Sequence, residues 1–310
     1  MKINKDFLLM FAKEILEIDS PTGFTKVIIQ HLASIAEEWD IPYELNKKGN
    51  LILTMQGTSS YVVGLAAHVD TLGAMVRSIS ADGTLKFTSL GGPILPTYDA
   101  EYCKVYTRNN EVITGTFLST ATSVHVHEES RTLPRNEKNM FIRLDKTVKS
   151  KADTIALGIR TGDFIAIDPK TVITEDGFIK SRFLDDKISV AILFALIKHF
   201  KDNNITPKYT IKFIISTYEE VGHGASSIPE LDEMLAVDMG CIGEDLSCTE
   251  YDVSICAKDS SGPYDYDMTN ALIQTADRFK LNYAVDIYPF YGSDVSAALR
   301  AGNNIKGALI

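Results

Sequence analysis

In Lys212-Phe-Ile-Ile-Ser-Thr-Tyr-Glu-Glu-Val-Gly222 an apolar run meets a pair of acids. Ile211, Phe213, Ile214 and Ile215 form a short apolar, β-branched run of the kind that becomes a buried strand. It leads directly into Glu219 and Glu220. In an open α/β sheet, ligands collect beyond the carboxyl ends of the strands, so two acids there are candidates for chemistry. Extended neighbours alternate sides, so the pair is expected to diverge rather than share a proton. Two readings of the pair stay open at this point: a cation ligand beside a general base, or a solvated strand terminus.

Working outward, Tyr61–Ala67 is a second continuous apolar run, of the type that parallel strands bury on both faces, and it ends on His68-Val69-Asp70. Met234 to Gly240 reads as a strand carrying Asp238, and Val253–Cys256, Tyr283–Ile287 and Ile305–Ile310 read as further strands. Helical stripes fall at Phe7, Leu8, Phe11, Ile15 and Leu16, then from Val27 to Trp39, from Ile188 to His199, from Met268 to Phe279, and at a helix start at Asp294. His31 and His199 sit on these helices as a core-edge residue and a last-turn residue complementing the dipole. The rhythm predicts an α/β fold, a three-layer α/β/α domain with a mixed, largely parallel sheet.

Between Gly73 and about Asp163 the texture changes to short segments broken by Asp82-Gly83, Gly91-Gly-Pro93 and Asn109-Asn110. Closely spaced turns and β-formers predict a small inserted all-β, barrel-like domain. The expected boundaries are 1–72 and 165–310 for the catalytic domain and 73–164 for the insertion, with Thr161–Ile167 and Phe178–Lys180 returning the chain to the main sheet. His125 and His127 alternate as on one strand face, and they are expected to serve a subunit contact or line a neighbouring site rather than bind metal.

The 310 residues carry a formal net charge of −10, with 45% hydrophobic and 23% charged residues. Such a chain is globular, and it has no basic excess with which to neutralise phosphates, so no nucleic-acid partner is expected. No apolar run reaches the roughly 18 residues of a membrane span, so no membrane partner is expected either. The N-terminus shows no signal-peptide pattern, and Cys103, Cys241, Cys248 and Cys256 form no Cys-x-x-Cys pair. A cytoplasmic location with reduced thiols is the expectation.

His68/Asp70, Asp185/Asp186, Glu219/Glu220 and Asp238 all fall at expected strand ends or the turns after them. Imidazole with carboxylates suits a divalent ion of the zinc, cobalt or manganese type, and a carboxylate bridging two ions would build a hydrolytic clamp. Ala66-Ala-His68-Val-Asp70, Arg182-Phe-Leu-Asp185-Asp186, Ser216-Thr-Tyr-Glu219-Glu220-Val-Gly and Val237-Asp238-Met-Gly together resemble the motifs of the tetrahedral aminopeptidase family, which includes glutamyl and deblocking aminopeptidases. The resemblance runs from the Ser20-Pro-Thr-Gly turn to the last strand. It implies two divalent metal ions, zinc or cobalt first and manganese next. His68 and Asp238 would bind one ion, Asp185 would bridge, and Glu220 would bind the second. Glu219 would be the base that deprotonates the metal-bound water, Asp70 would orient His68, and Asp186 would be structural. It further implies short peptide substrates, dimers made through the insertion, and their assembly into a hollow dodecamer. Thr71 stands where the family usually has an acid, which alters the rim of the site. The family's last histidine ligand lies beyond its final strand, whereas no histidine follows His223, so that ligand is expected beyond Ile310. Rival readings are a metal-dependent amidase or deacylase, a metal-free glycosidase, and a non-catalytic assembly protein with a decayed metal site.

Overall fold

A computed structural model describes residues 3–310. The first elements are α1 (Lys5–Leu16), α2 (Lys26–Glu38), β1 (Tyr43–Leu45), β2 (Leu51–Met55) and β3 (Ser59–His68). β4 (Gly73–Ile79), β5 (Leu85–Leu90), β6 (Tyr102–Tyr106), β7 (Val112–Ser119), β8 (Met140–Leu144), α3 (Lys151–Ala156) and β9 (Phe164–Ile167) follow. The chain then runs through β10 (Val172–Ile173), β11 (Ile179–Lys180), α4 (Leu184–Asp202), β12 (Tyr209–Ser216) and β13 (Glu233–Ala236). It ends with β14 (Val253–Asp259), β15 (Gly262–Pro263), α5 (Tyr266–Phe279), β16 (Tyr283–Ile287), α6 (Asp294–Arg300) and β17 (Lys306–Leu309). The fold is mixed α/β, with one large mixed sheet and one separate closed antiparallel barrel.

Among the described residues the large sheet has the order β1-β2-β12-β3-β13-β17-β14-β15, with β16 paired to β14. Its centre is parallel: β12 runs alongside β3 with Ser216 opposite His68, and β3 runs alongside β13 with Ala66 opposite Ala236. These strands are buried on both faces, so their side chains divide by the period of two between two cores. Phe213, Ile215, Leu51, Leu53 and Ala67 pack with Phe11, Leu32 and Phe194 of α1, α2 and α4. Ile214, Ile52 and Ala66 pack with Val295 and Ala298 of α6 on the other face. Helices thus cover both faces of the sheet.

The chain divides into two compact units. One holds the residues up to Ile18 with Thr25–Asp70 and Thr171–Ile310, and the other holds Asp19–Phe24 with Thr71–Lys170. Asp19–Phe24 joins the second unit through a parallel bridge between Pro21 and Thr71. The barrel closes in the order β4-β5-β8-β7-β6-β9. Thr161–Ile167 was expected back in the main sheet, but its strand, β9, pairs with β4 and β6 and closes the barrel. Ile165 and Ile167 are buried there, and an apolar run does not say which sheet will bury it. Phe178–Lys180 also misses the main sheet, since Ile179 and Lys180 pair only with Val172 and Ile173.

His125 and His127 differ from expectation as well, because His125 lies in a turn and His127 caps the 3₁₀ turn that follows, and neither is in a strand. Ser123 accounts for this: its Oγ accepts the His125 N–H at 3.3 Å, and its carbonyl accepts the N–H groups of Val126 and His127. With these donors satisfied locally, the segment has no call on a ladder partner. Among the described residues no helix is long and apolar enough to cross a membrane.

Candidate metal centre

Three adjacent parallel strands carry the candidate residues to one end of the sheet. His68 is the last residue of β3, Glu219 and Glu220 open a 3₁₀ turn just after β12, and Asp238 follows β13. Because β12, β3 and β13 are in register, their carboxyl ends finish side by side. Asp185 and Asp186 come from the start of α4, where the chain takes non-helical dihedrals after Phe183 at φ +66°, and the peptide between the two acids is cis.

His68 is buried, and Asp70 holds its ring through the Asp70 main-chain carbonyl, 2.9 Å from Nδ1, with the carboxylate farther off at 3.6 Å. That carboxylate accepts instead the N–H groups of Glu219 at 3.1 Å and Glu220 at 3.3 Å. His68 Nε2 faces Asp185 Oδ1 at 3.1 Å and Glu219 Oε2 at 3.6 Å, and the His68 N–H donates to Asp186 Oδ2 at 3.0 Å. One ligand atom each from His68, Asp186 and Asp238 lie within 4.8 Å of one another. Asp186 was expected to be merely structural, so its place in this triplet comes from the folded geometry alone.

Glu219 and Glu220 lie on a 3₁₀ turn and not on the strand itself. The strand ends at Ser216, and on the 3₁₀ turn both carboxylates line one cavity of about 330 Å³ with Asp185, Asp238, Tyr291 and Arg300. Crowded carboxylates in a buried place resist ionisation. Burial, followed by the charges of Asp185, Asp70 and Asp238, outweighs His68 and pushes Glu220 up to about 8. Burial lifts Asp238 to about 6, with Asp185 adding to it, and raises Glu219 and Asp186 well above the carboxylate range. Burial opposes the charged His68 ring, yet Asp185, Glu219, Asp186 and Asp238 hold it well above its ordinary value. The cluster carries more negative charge than the protein's own cations neutralise.

A divalent cation fits this donor set. Imidazole and carboxylate oxygen are the ligands that zinc, cobalt and manganese accept, and buried Asp186 Oδ1 has no hydrogen-bond partner among the described residues. An ion would supply the positive charge that the raised carboxylates lack.

Several residues in and around the site went unnoticed as functional in the sequence. Tyr291 donates its hydroxyl to the Met239 carbonyl at 3.1 Å and also hydrogen-bonds Asp238, with burial first and Asp238 next holding its hydroxyl well above the usual range. Buried Asp294 accepts from Ser216 Oγ at 2.6 Å and from the Ala225 N–H at 2.8 Å. Arg300 lines the cavity and reaches the Gly222 carbonyl at 3.4 Å. An acid after the Ser293 N-cap is an ordinary helix start, and nothing local marks Asp294 as a partner of a residue 78 positions away.

Comparison with known proteins adds a family to this geometry. The profile of the M42 glutamyl aminopeptidase family matches residues 49–310. "Putative aminopeptidase YhfE" of Bacillus subtilis (strain 168) is 48% identical over 302 residues, covering 96% of this chain and 87% of that protein. Among solved structures, the TET aminopeptidase of the marine sediment archaeon Thaumarchaeota archaeon SCGC AB-539-E09 superposes with a TM-score of 0.88 at 20% identity, covering 99% of this chain and 88% of that one. The Pyrococcus horikoshii TET1 peptidase, described as able to assemble into a tetrahedron or a large octahedral shell, gives a TM-score of 0.84 at 20% identity over 97% of this chain and 89% of that one. At these identities the two structures establish likeness of fold.

Proposed function

The chain belongs to the M42 glutamyl aminopeptidase family, whose members are metal-dependent aminopeptidases, and from that membership we propose that it removes N-terminal residues from short peptides using two divalent ions, with Glu219 as the general base. The observation that carries this reading is the convergence of His68, Asp185, Asp186, Glu219, Glu220 and Asp238 at the carboxyl ends of three parallel strands. His68, Asp185, Glu220 and Asp238 would hold the ions, and Asp186 Oδ1 offers a further buried donor. Bound zinc, cobalt or manganese would lower the pKa of a water toward neutrality and polarise the scissile carbonyl.

The rest is work for the chain's own groups. Glu219 takes a proton from the attacking water at its carboxylate and delivers it to the leaving amine. Burial raises its pKa, which favours its taking up the water's proton. Asp70 holds the Glu219 and Glu220 amides and the His68 ring, so base and ligands are oriented by one residue. The acids of the cavity would receive a substrate's free amino group, which favours attack at a chain terminus. The barrel unit is assigned to dimer contacts, and the dimers to a larger hollow assembly that admits short peptides.

The test is metal stoichiometry per chain together with a chelator-reversible assay on peptides with free and blocked N-termini and on acyl amides. Two ions per chain and hydrolysis only of free N-terminal peptides support the proposal. Acyl-amide hydrolysis without peptide hydrolysis would transfer the site to the amidase reading.

A further inference from the structure

The turn that carries Glu219 and Glu220 has little structure of its own. Between the end of β12 and the start of β13 the chain makes only two short 3₁₀ turns, Glu219–Val221 and Gly224–Ser226, and Gly222 sits between them at φ +81°. Its own main-chain bonds are few, chiefly Gly222 N–H to the Glu219 carbonyl and His223 N–H to the Tyr218 carbonyl. A base held this way would wander by more than chemistry tolerates, since misplacement by about 1 Å can cost about 100-fold in rate. The Asp70 carboxylate caps the Glu219 and Glu220 amides, and the two shoulders of the loop need a hold of their own.

The hairpin turn between β1 and β2 is built to supply it. In Asn46-Lys47-Lys48-Gly49-Asn50, Asn46 Oδ1 accepts the N–H groups of Lys48 and Asn50, both at 3.0 Å, and Gly49 takes φ +87° to close the turn. The turn then grips the Glu219 loop on both shoulders. Asn50 is fully buried, and its one amide bridges the loop's base: Oδ1 accepts from Thr217 Oγ1 at 2.9 Å and Nδ2 donates to the Gly224 carbonyl at 2.9 Å. Asn46 Nδ2 donates to the Ser227 carbonyl at 3.0 Å. Lys48 Nζ donates to His223 Nδ1 at 2.7 Å, to Ser226 Oγ at 3.0 Å and to the His223 carbonyl, so all three ammonium protons are used on the far shoulder. The Tyr218 ring stacks on His223 at 5.0 Å and lies 5.5 Å from the same ammonium. On the other side Asp294 repeats the bridge, taking Ser216 and Ala225 one residue outside the pair that Asn50 takes.

We propose that the β1–β2 turn is the positioning element of the candidate base, with Asn50 and Lys48 as positioning residues that act on Glu219 and Glu220 through Thr217, His223 and Gly224. The inference rests on the reading of Glu219 given above. Asn50 sets the width of the loop at its base, which one side-chain amide can do only if Thr217 and Gly224 stay about one carboxamide apart. Lys48 holds the C-terminal shoulder against Tyr218, so the two residues flanking the Glu219–Gly222 segment cannot separate. Neither residue lines the cavity, so their removal takes no side chain away from the cavity itself.

The experiment compares Asn50→Ala, Lys48→Met and Lys48→Arg with the wild type in metal content, steady-state kinetics on a cleaved peptide, thermal midpoint, and hydrogen exchange of the Glu219 and Glu220 amides. Asn50→Ala should lower kcat about 100-fold with KM changed less than about twofold, and Lys48→Met about tenfold or more. Exchange at Glu219 and Glu220 should quicken in both while exchange at His68 is unchanged, and metal content should fall by no more than the one ion that Glu220 would hold. Lys48→Arg, which keeps its donors, should recover most of the lost rate. If Asn50→Ala does not fold, Lys48→Met decides. Wild-type kcat in Lys48→Met, or unchanged exchange at the two amides, overturns the proposal. The exchange measurement stands even if no peptide is hydrolysed, so failure of the peptidase reading and failure of the positioning role are told apart.

Discussion

Stripping divalent ions and raising the pH should destabilise the protein steeply. The folded state keeps a proton on Glu220 up to about pH 8, held there mainly by burial, whereas the unfolded chain releases it near its ordinary value of 4.5. Between those values the folded state binds more protons than the unfolded state, so stability falls as pH rises; the Glu220 contribution is complete below about 4.5 and lost through about 8. A difference of about 3.5 pH units corresponds to about 5 kcal/mol, a large part of the roughly 5–15 kcal/mol that holds a domain folded. Asp238, moved from 3.8 to about 6, adds the same sign at about 3 kcal/mol, although both acids respond to His68 and Asp185 and the two figures do not sum. His68 acts in the same direction, since a raised histidine stabilises the fold below its unfolded value and loses that contribution as pH climbs. Urea denaturation at pH 5, 7 and 8.5 would read this, followed by fluorescence of Trp39, which packs against Phe7 and Phe194. In chelator, stability should drop by several kcal/mol from pH 5 to 8.5. With zinc or cobalt at about 1,000 times its dissociation constant, about 4 kcal/mol should return at the alkaline end. A flat or rising profile in chelator, or no response to the ion, would refute the charge-deficit account of the site.

Glu219→Gln should retain metal content and lose about 10²–10⁴-fold in kcat, because the amide keeps the shape of the side chain but does not take a proton; activity within tenfold of wild type would remove Glu219 from the role of base. Gly224→Ala would place a methyl against the Asp294 carboxylate, with Ser216 Oγ at 2.8 Å and the Glu219 nitrogen at 3.0 Å. It should cost about 1–3 kcal/mol in a denaturation assay and depress kcat along with it. Phe194→Ala empties a fully buried site between Phe11 at 5.2 Å and Trp39 at 6.0 Å, and should cost about 3–5 kcal/mol with catalytic constants unchanged in the folded fraction.

Features that depend on neighbours along the chain could be read from the residues alone. Phe213, Ile214 and Ile215 mark a strand buried on both faces because β-branched and aromatic side chains without polar alternation suit a parallel sheet interior, and the two cores divide them in that way. The barrel texture and the acid clusters at strand ends were equally legible, since turn residues and motif spacing are local. Features that depend on pairing partners could be read only from the folded chain. Phe164–Ile167 is the same apolar run whichever sheet takes it, and only closure of the barrel assigns it. Glu219 and Glu220 line one cavity from a 3₁₀ turn that follows the strand, with the Asp70 carboxylate capping both amides. Asn50 meets Gly224 across 174 positions, and Asp294 meets Ser216 across 78. Such contacts leave no periodic trace in the chain, because the strand order β2-β12-β3-β13, rather than any local propensity, brings their elements together.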